Sequence, residues 1–180
     1  GHGVPGAFMS MIGNTLLNEI VNQKRITKPD IILTELHLGV LTALQQNRRD
    51  SDSEDGMDMS LCTIDLHNRR FQFAGAKNNL YVVQNKKLKV LKANFHSIGG
   101  RPLREGMKVE FTSYDFLYDQ NTSIYMLSDG YVDQFGGKDN TKFNSPRFKE
   151  MLVQNVGLTM QQQKKMIQKT FVEWKGDNRQ

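Results

Sequence analysis

The run Ile124-Tyr125-Met126-Leu127-Ser128-Asp129-Gly130 is an apolar stretch of strand character that ends in an acid and a glycine. A carboxylate at the mouth of a buried strand is held rigidly and loses part of its hydration, and hard divalent cations favour such oxygens. Asp129 is therefore a candidate metal ligand. The same residues also read as an ordinary strand-ending Asp-Gly turn, and Asp129 alone does not decide between the two. A second candidate is Gly1-His2-Gly3, which opens a helix. Glycines before a helix let backbone amides approach an anion, and the helix N-terminus favours negative charge. His2 could donate a proton to a leaving oxygen there. A flexible end or a tag remnant would look the same.

Other residues carry weaker signals. Gly99-Gly100 is a loop break whose backbone could line a groove or make a plain turn. Asp58 either faces a site or closes the acidic loop before it. Asp115 and Asp119 read as well as a polar strand edge as they do as catalysts. His37, His67 and His96 match no metal-ligand spacing and are expected in structural or surface roles. Cys62 is the only cysteine, so no internal disulfide can form, and its apolar neighbours predict an inert core thiol. No Gly-x-Ser-x-Gly elbow and no Walker loop occurs.

The elements that must position these residues follow from periodicity. Phe8, Ile12, Leu16 and Ile20 recur every fourth residue and predict a helix over about 5–23. Thr27-Lys28-Pro29-Asp30 resembles a capping box, and Leu33, Leu36, Val40 and Leu44 make one stripe of a second helix over about 28–46. The polar run 47–56 predicts a mobile loop. The period then changes. Met59–Leu66, Phe71–Ala74, Leu80–Gln84 and Leu88–Lys92 predict an antiparallel meander, and Lys108–Tyr114 and Ser123–Leu127 predict two more strands. Pro146–Asn155 predicts a short helix. Thr159-Met160-Gln161-Gln162 is a second capping box, before a helix with Ile167, Phe171 and Trp174 on one face. Two helices, a run of strands and two helices predict an α+β layer protein.

Composition sets the outer bounds. A chain of 180 residues, 38% hydrophobic and 24% charged, can bury one real core. No apolar run approaches the ~18 residues of a membrane span, and no signal segment opens the chain. A cytoplasmic setting is expected, with membrane anchoring through other parts of a longer protein left open. The net charge of +5 is scattered over short groups such as Arg48-Arg49 and Lys164-Lys165. No groove-reading motif goes with it, so nucleic acid is not an expected partner.

The order of the motifs carries a resemblance. Gly1-His2-Gly3-Val4-Pro5-Gly6-Ala7-Phe8-Met9-Ser10, Asp55-Gly56-Met57-Asp58-Met59-Ser60-Leu61, Phe73-Ala74-Gly75-Ala76-Lys77-Asn78-Asn79, Ser97-Ile98-Gly99-Gly100, the stretch from Leu127 to Gly137, and Phe171-Val172-Glu173-Trp174-Lys175-Gly176 follow one another in sequence. This ordered set resembles the SpoIIE-like serine/threonine phosphatases, a branch of the protein phosphatase 2C superfamily (PPM), across essentially the whole chain.

The resemblance implies an antiparallel β-sandwich flanked by helix pairs (αββα). It implies two Mn²⁺ or Mg²⁺ ions held mainly by aspartates, and hydrolysis of phosphoserine or phosphothreonine by a metal-activated water. Asp129 matches the strand-end metal ligand. His2 stands where some superfamily members are proposed to carry a general acid, although many SpoIIE-like proteins carry Lys or Asn there. Gly1, Gly3, Gly99, Gly100 and Gly130 match positions that line the site or its groove. Ala76 falls near the acid that other branches use for an additional metal, and its side chain argues against that ion. The family's aspartate three residues before Gly-His-Gly would precede Gly1, and its earlier Gly-Asp strand is also missing. The Asp-Asp pair after Trp-x-Gly is not found before Gln180, and Asp177 does not fit its register.

The 180 residues are thus expected to form a partial domain, truncated at both ends and nearly inactive alone, within an active parent. Implied partners are a phosphorylated regulator of the anti-anti-sigma type and an upstream sensor domain. A homodimer is compatible with the family. The rival expectation is a non-catalytic interaction or signal-relay module built on a degenerate phosphatase fold.

Overall fold

A computed structural model describes residues 3–46, 55–100 and 108–180. Gly1, His2 and most of the expected acidic loop lie outside the described residues. The chain divides into two compact units, Gly1–Leu80 with Lys92–Asp119, and Tyr81–Leu91 with Gln120–Gln180.

The first unit opens with α1 (Gly3–Leu17), which runs into a π-helical turn over Asn18–Gln23. Arg25 at φ 58° then turns the chain, and α2 spans Pro29–Ala43. Leu33, Leu36 and Val40 of α2 have no exposed surface, and each such burial contributes roughly 1.5–3 kcal/mol. They share a core with Met9, Ile20, Ala74, Ile98, Val109 and Phe111. The expected capping box at Thr27 is not formed. Lys28 is the N-cap without a side-chain bond, and Pro29 occupies the first turn. Pro fits there because its missing N–H needs no partner. The Thr27 carbonyl instead accepts from the Thr63 hydroxyl at 2.7 Å.

The unit's first strands are β1 (Gly56–Met57), β2 (Met59–Asp65) and β3 (Arg70–Ala76). β2 and β3 form an antiparallel hairpin from Met59↔Ala76 to Asp65↔Arg70. Its turn is closed by the Asp65 carboxylate, which accepts the amides of His67 and Asn68 at 3.0 and 2.9 Å. These bonds hold the carboxyl below its ordinary pKa.

The expected strand over Lys108–Tyr114 is corrected by the structure. Val109 and Phe111 alternate inward as a strand would, but they pack into the helical core. The Thr112 amide is taken by the Asn94 side chain at 2.8 Å rather than by a neighbouring strand. The ladder instead runs over Tyr114–Leu117, antiparallel to β3. Arg70 and Gln72 reach across to Asp115 at 2.7 and 2.8 Å, so Asp115 serves as a polar edge.

The second unit carries β4 (Leu80–Gln84) and β5 (Lys87–Leu91), joined by Asn85 and Lys86 at φ 51° and 62°. Positive φ at both central residues is the turn that matches strand twist. In chain order, β6 (Ile98–Gly99) and β7 (Tyr114–Leu117) belong to the first unit, and β8 (Thr122–Met126) to the second. The sheets order as β2-β3-β7 in the first unit and β5-β4-β8 in the second.

A short helix α3 (Asp129–Val132), the ribbon β9 (Phe135–Gly136) and β10 (Thr141–Lys142), and helices α4 (Ser145–Gln154) and α5 (Met160–Lys175) complete the second unit. Thr159 and Gln162 form the expected capping box in both directions. Tyr81, Val83, Phe143, Phe148, Met151 and Leu152 make the core. Each unit therefore combines a three-stranded sheet and a short two-stranded one with helices, and the α+β expectation holds.

Candidate functional site

In the first unit, three motif segments converge. β1 pairs with β6, setting Gly56 opposite Gly99 and Met57 opposite Ile98. The Ser97 hydroxyl donates to the Asp58 carboxylate at 2.8 Å, and Lys77 lies 3.9 Å from the same oxygen. Lys77 sits at φ 58° in the tight turn after β3, its amide bonded to the Asn94 carbonyl at 2.7 Å. Asp58 thus ties the Ser97–Gly100 loop to the β3–β4 turn, a role the sequence left between loop and site.

Gly99 and Gly100 follow at φ 73° and 76°, backbone geometry that disfavours any side chain. At Gly99 a Cβ would also meet Val40 Cγ1 at 2.6 Å. The amides of the two glycines are held by side chains: Gly99 donates to His37 Nδ1 at 3.1 Å and Gly100 to Gln46 Oε1 at 2.9 Å. His37 is buried beside the Phe111 ring. Burial, aided by nearby His96, lowers its pKa, while a backbone bond at Ser97 acts the other way. The structural role expected for His37 is therefore observed, with a specific partner. Neither His37 nor Gln46 stood out in the sequence as touching the glycine loop. The available signal was the placement of His37 beside Leu33, Leu36 and Val40 on the buried stripe of α2.

In the second unit, Asp129 and Gly130 open α3 directly after β8. The expectation of a carboxylate at the mouth of a buried strand is corrected. β8 is only half-buried, and Asp129 is exposed in the first turn of a four-residue helix. The helix is anchored from beneath by Tyr131. Its hydroxyl donates to the Ile167 carbonyl at 2.9 Å, and its ring packs with Phe143, Phe148 and Phe171. Burial pushes the Tyr131 phenol up to about 12, so it stays a donor.

The chain after α3 is locked to α5. Trp174 Nε1 donates to the Gln134 carbonyl at 3.0 Å, and the Gly137 amide donates to the Trp174 carbonyl at 2.8 Å. Gly136 lies so close to that carbonyl that no Cβ fits. The Asp-Gly motif and the Trp-x-Gly motif, far apart in sequence, are thus one physical assembly. Gly130 differs: a Cβ there would meet only Ser128 Oγ, at 3.6 Å. Gly3 begins α1 at φ 62° with open space around it.

Among the described residues, no three His, Cys, Asp or Glu side chains gather as a metal cage. Asp129 brings one hard oxygen donor group, which fits a divalent ion but does not hold one by itself. Cys62 is no ligand candidate either. It is half-buried on β2 rather than in the core as expected, but burial still pushes its thiol up to about 12, in line with the expected inert role.

The family model of stage II sporulation protein E (SpoIIE) matches residues 1–180. The chain belongs to the SpoIIE family. Among solved structures, the SiaA-PP2C domain of Pseudomonas aeruginosa is similar at 26% identity and a TM-score of 0.84, over 98% of this chain and 66% of that one. A structure of RsbX in complex with magnesium is similar in fold, at 10% identity and a TM-score of 0.53, over 91% of this chain and 66% of that one. The chain thus spans just under two thirds of the solved relatives it matches. A comparison with curated proteins gives no match. The expected protein phosphatase 2C-like α+β fold is the fold of this SpoIIE-family chain. No helix among the described residues is long and apolar enough to cross a membrane.

Proposed function

We propose that the protein carrying this chain is a metal-dependent phosphatase that hydrolyses phosphoserine or phosphothreonine on a signalling protein. The observation that carries the reading is the SpoIIE-family match over the full 180 residues, with Asp129-Gly130 at the start of a turn anchored by Tyr131. Mn²⁺ or Mg²⁺ is the ion class, because exposed carboxylates are hard donors. A pair of such ions supplies an activated water and neutralises charge on the phosphoryl group.

This chain's own residues have separable tasks. Asp129 offers one carboxylate to the metal centre. The rest of the ligand set is expected from the third of the solved SiaA-PP2C chain that this chain does not match. Gly130 leaves the approach to Asp129 open. Gly1 and Gly3 are assigned to a substrate groove; Gly99 and Gly100 are buried with their amides bonded inward, and support their loop from within. His2 is the candidate proton donor to the departing serine or threonine oxygen. The absence of a nucleophile elbow agrees with direct attack by water. The substrate class is a phosphorylated regulator of the anti-anti-sigma type, with a sensor domain upstream in the same protein.

The test is hydrolysis of a phosphoprotein by the intact protein with Mn²⁺, with and without Asp129→Asn. The variant is expected to abolish turnover and weaken Mn²⁺ binding measured by calorimetry. Unchanged hydrolysis in the variant removes Asp129 from the site. No hydrolysis by the parent, with a phosphoprotein still captured, favours the signal-relay module instead.

A further inference from the structure

Helix α1 (Gly3–Leu17) carries no charged residue, and the chain's first acid, Glu19, lies beyond it. Phe8, which the sequence groups with Ile12, Leu16 and Ile20 on one stripe, stays outside the core. It is 60% exposed, and its neighbours Val4 and Met11 are 69% and 66% exposed. Residues three and four apart adjoin on a helix, so the three make one row on the outer face. Gly3, Ala7, Ser10 and Asn14 make a second, parallel row of smaller exposed residues beside it. The hydroxyls of this face turn back onto the helix itself: Ser10 donates to the Gly6 carbonyl at 2.8 Å and Thr15 to the Met11 carbonyl at 3.0 Å. The inner face packs Met9 and Ile12 into the core. A helix that is apolar on both sides belongs inside a structure, covered all round.

We propose that α1 is a homodimer contact, in which the outer faces of α1 from two copies of this chain pack on each other about a two-fold axis. The large row of one copy lies over the small row of the other, and the same match holds in reverse, as an isologous contact requires. The charge pattern selects a second copy as the occupant. With no charged group on α1, nothing repels an identical face, and nothing there attracts a partner of opposite sign. The exposure of Val4, Phe8 and Met11 adds up to about two bare side chains, roughly 300–500 Å². That is the size at which an apolar patch marks an interaction site. It is also about half of what a standard interface buries per partner, so the contact suits a reversible dimer rather than an obligate one.

The occupant is identified in the intact protein by photo-cross-linking, with p-benzoyl-phenylalanine in place of Phe8. Mass spectrometry is expected to find the α1 peptide joined to a second copy of the same peptide, a product that only two chains can give. Cross-links to any other segment, or none at all, overturn the proposal. Adding Met11→Lys is expected to cut the yield of that product about tenfold, because it sets like charges into a dry contact. Leu66→Lys is the control, since Leu66 is 80% exposed on the β2–β3 turn and no part of α1. Its yield should match the wild type. An unchanged yield with Met11→Lys, or an equal loss in both variants, overturns the proposal, the latter as unspecific apolar adhesion. Circular-dichroism melting near the wild-type value is expected for both variants, as both side chains face solvent in the single copy. Should Met11→Lys fail to fold, the identity of the peptide joined at position 8 decides alone.

Discussion

Gly136→Ala is the sharpest test of how the segment after Asp129 is held. A Cβ at Gly136 would collide with the Trp174 carbonyl oxygen and sit 2.6 Å from its carbon. The obstacle is backbone in the last turn of α5, so no rotamer change relieves it. β9 must move off α5, which strains or breaks the bond from the Gly137 amide to the Trp174 carbonyl (2.8 Å) and the bond from Trp174 Nε1 to the Gln134 carbonyl (3.0 Å). Two hydrogen bonds at about 0.5–1.5 kcal/mol each and an overpacking strain of about 1–3 kcal/mol sum to roughly 2–6 kcal/mol. For a chain of this size each kcal/mol moves Tm by about 2–4 °C, so a fall of roughly 5–20 °C is expected. Gly130→Ala is the control, because a Cβ there meets only Ser128 Oγ at 3.6 Å. Thermal unfolding followed by circular dichroism compares the two. A Gly136→Ala variant melting within a degree of the wild type would refute the Trp174 contact and the assembly built on it.

Two further predictions concern titration. The Cys62 thiol, pushed up to about 12 by burial, should react with iodoacetamide at pH 8 only after unfolding, as mass spectrometry of native and urea-treated protein would reveal. His37 has its pKa lowered from 6.5 by burial, with His96 as its titratable neighbour. The unfolded chain then binds more protons than the folded one below that value. The contribution of His37 to stability is thus present above 6.5 and lost as pH falls through the folded pKa. Urea midpoints of the wild type and His37→Asn, measured from pH 7.5 to 5, should converge at the acid end. Parallel curves would contradict the buried neutral imidazole.

Elements whose local and tertiary preferences agree were legible in the sequence. The Thr159 box needs only residues three apart, and Leu80–Gln84 carries its turn, Asn85-Lys86, beside it. Misreadings arose where a local pattern met a competing partner. Thr27 has the capping residue type, but Pro29 sets where α2 starts. Val109 and Phe111 alternate as a strand does, but Asn94 takes the amide that a ladder would use. The site divides the same way. The type and order of Asp129, Gly130, Gly99 and Gly100 were readable. The exposure of Asp129 and the amide partners of the glycines were not, because those depend on tertiary contacts, which for the glycines join residues 62 and 54 positions apart.

The glycine loop has a consequence for the time course of folding. Its two amide bonds join residues 62 and 54 positions apart. Such pairings close late, because the intervening chain must be ordered before they form. The Gly99-Gly100 turn is therefore among the last features a nascent chain acquires. A partly folded chain would expose the glycines first, and their left-handed course is set only once α2 has docked.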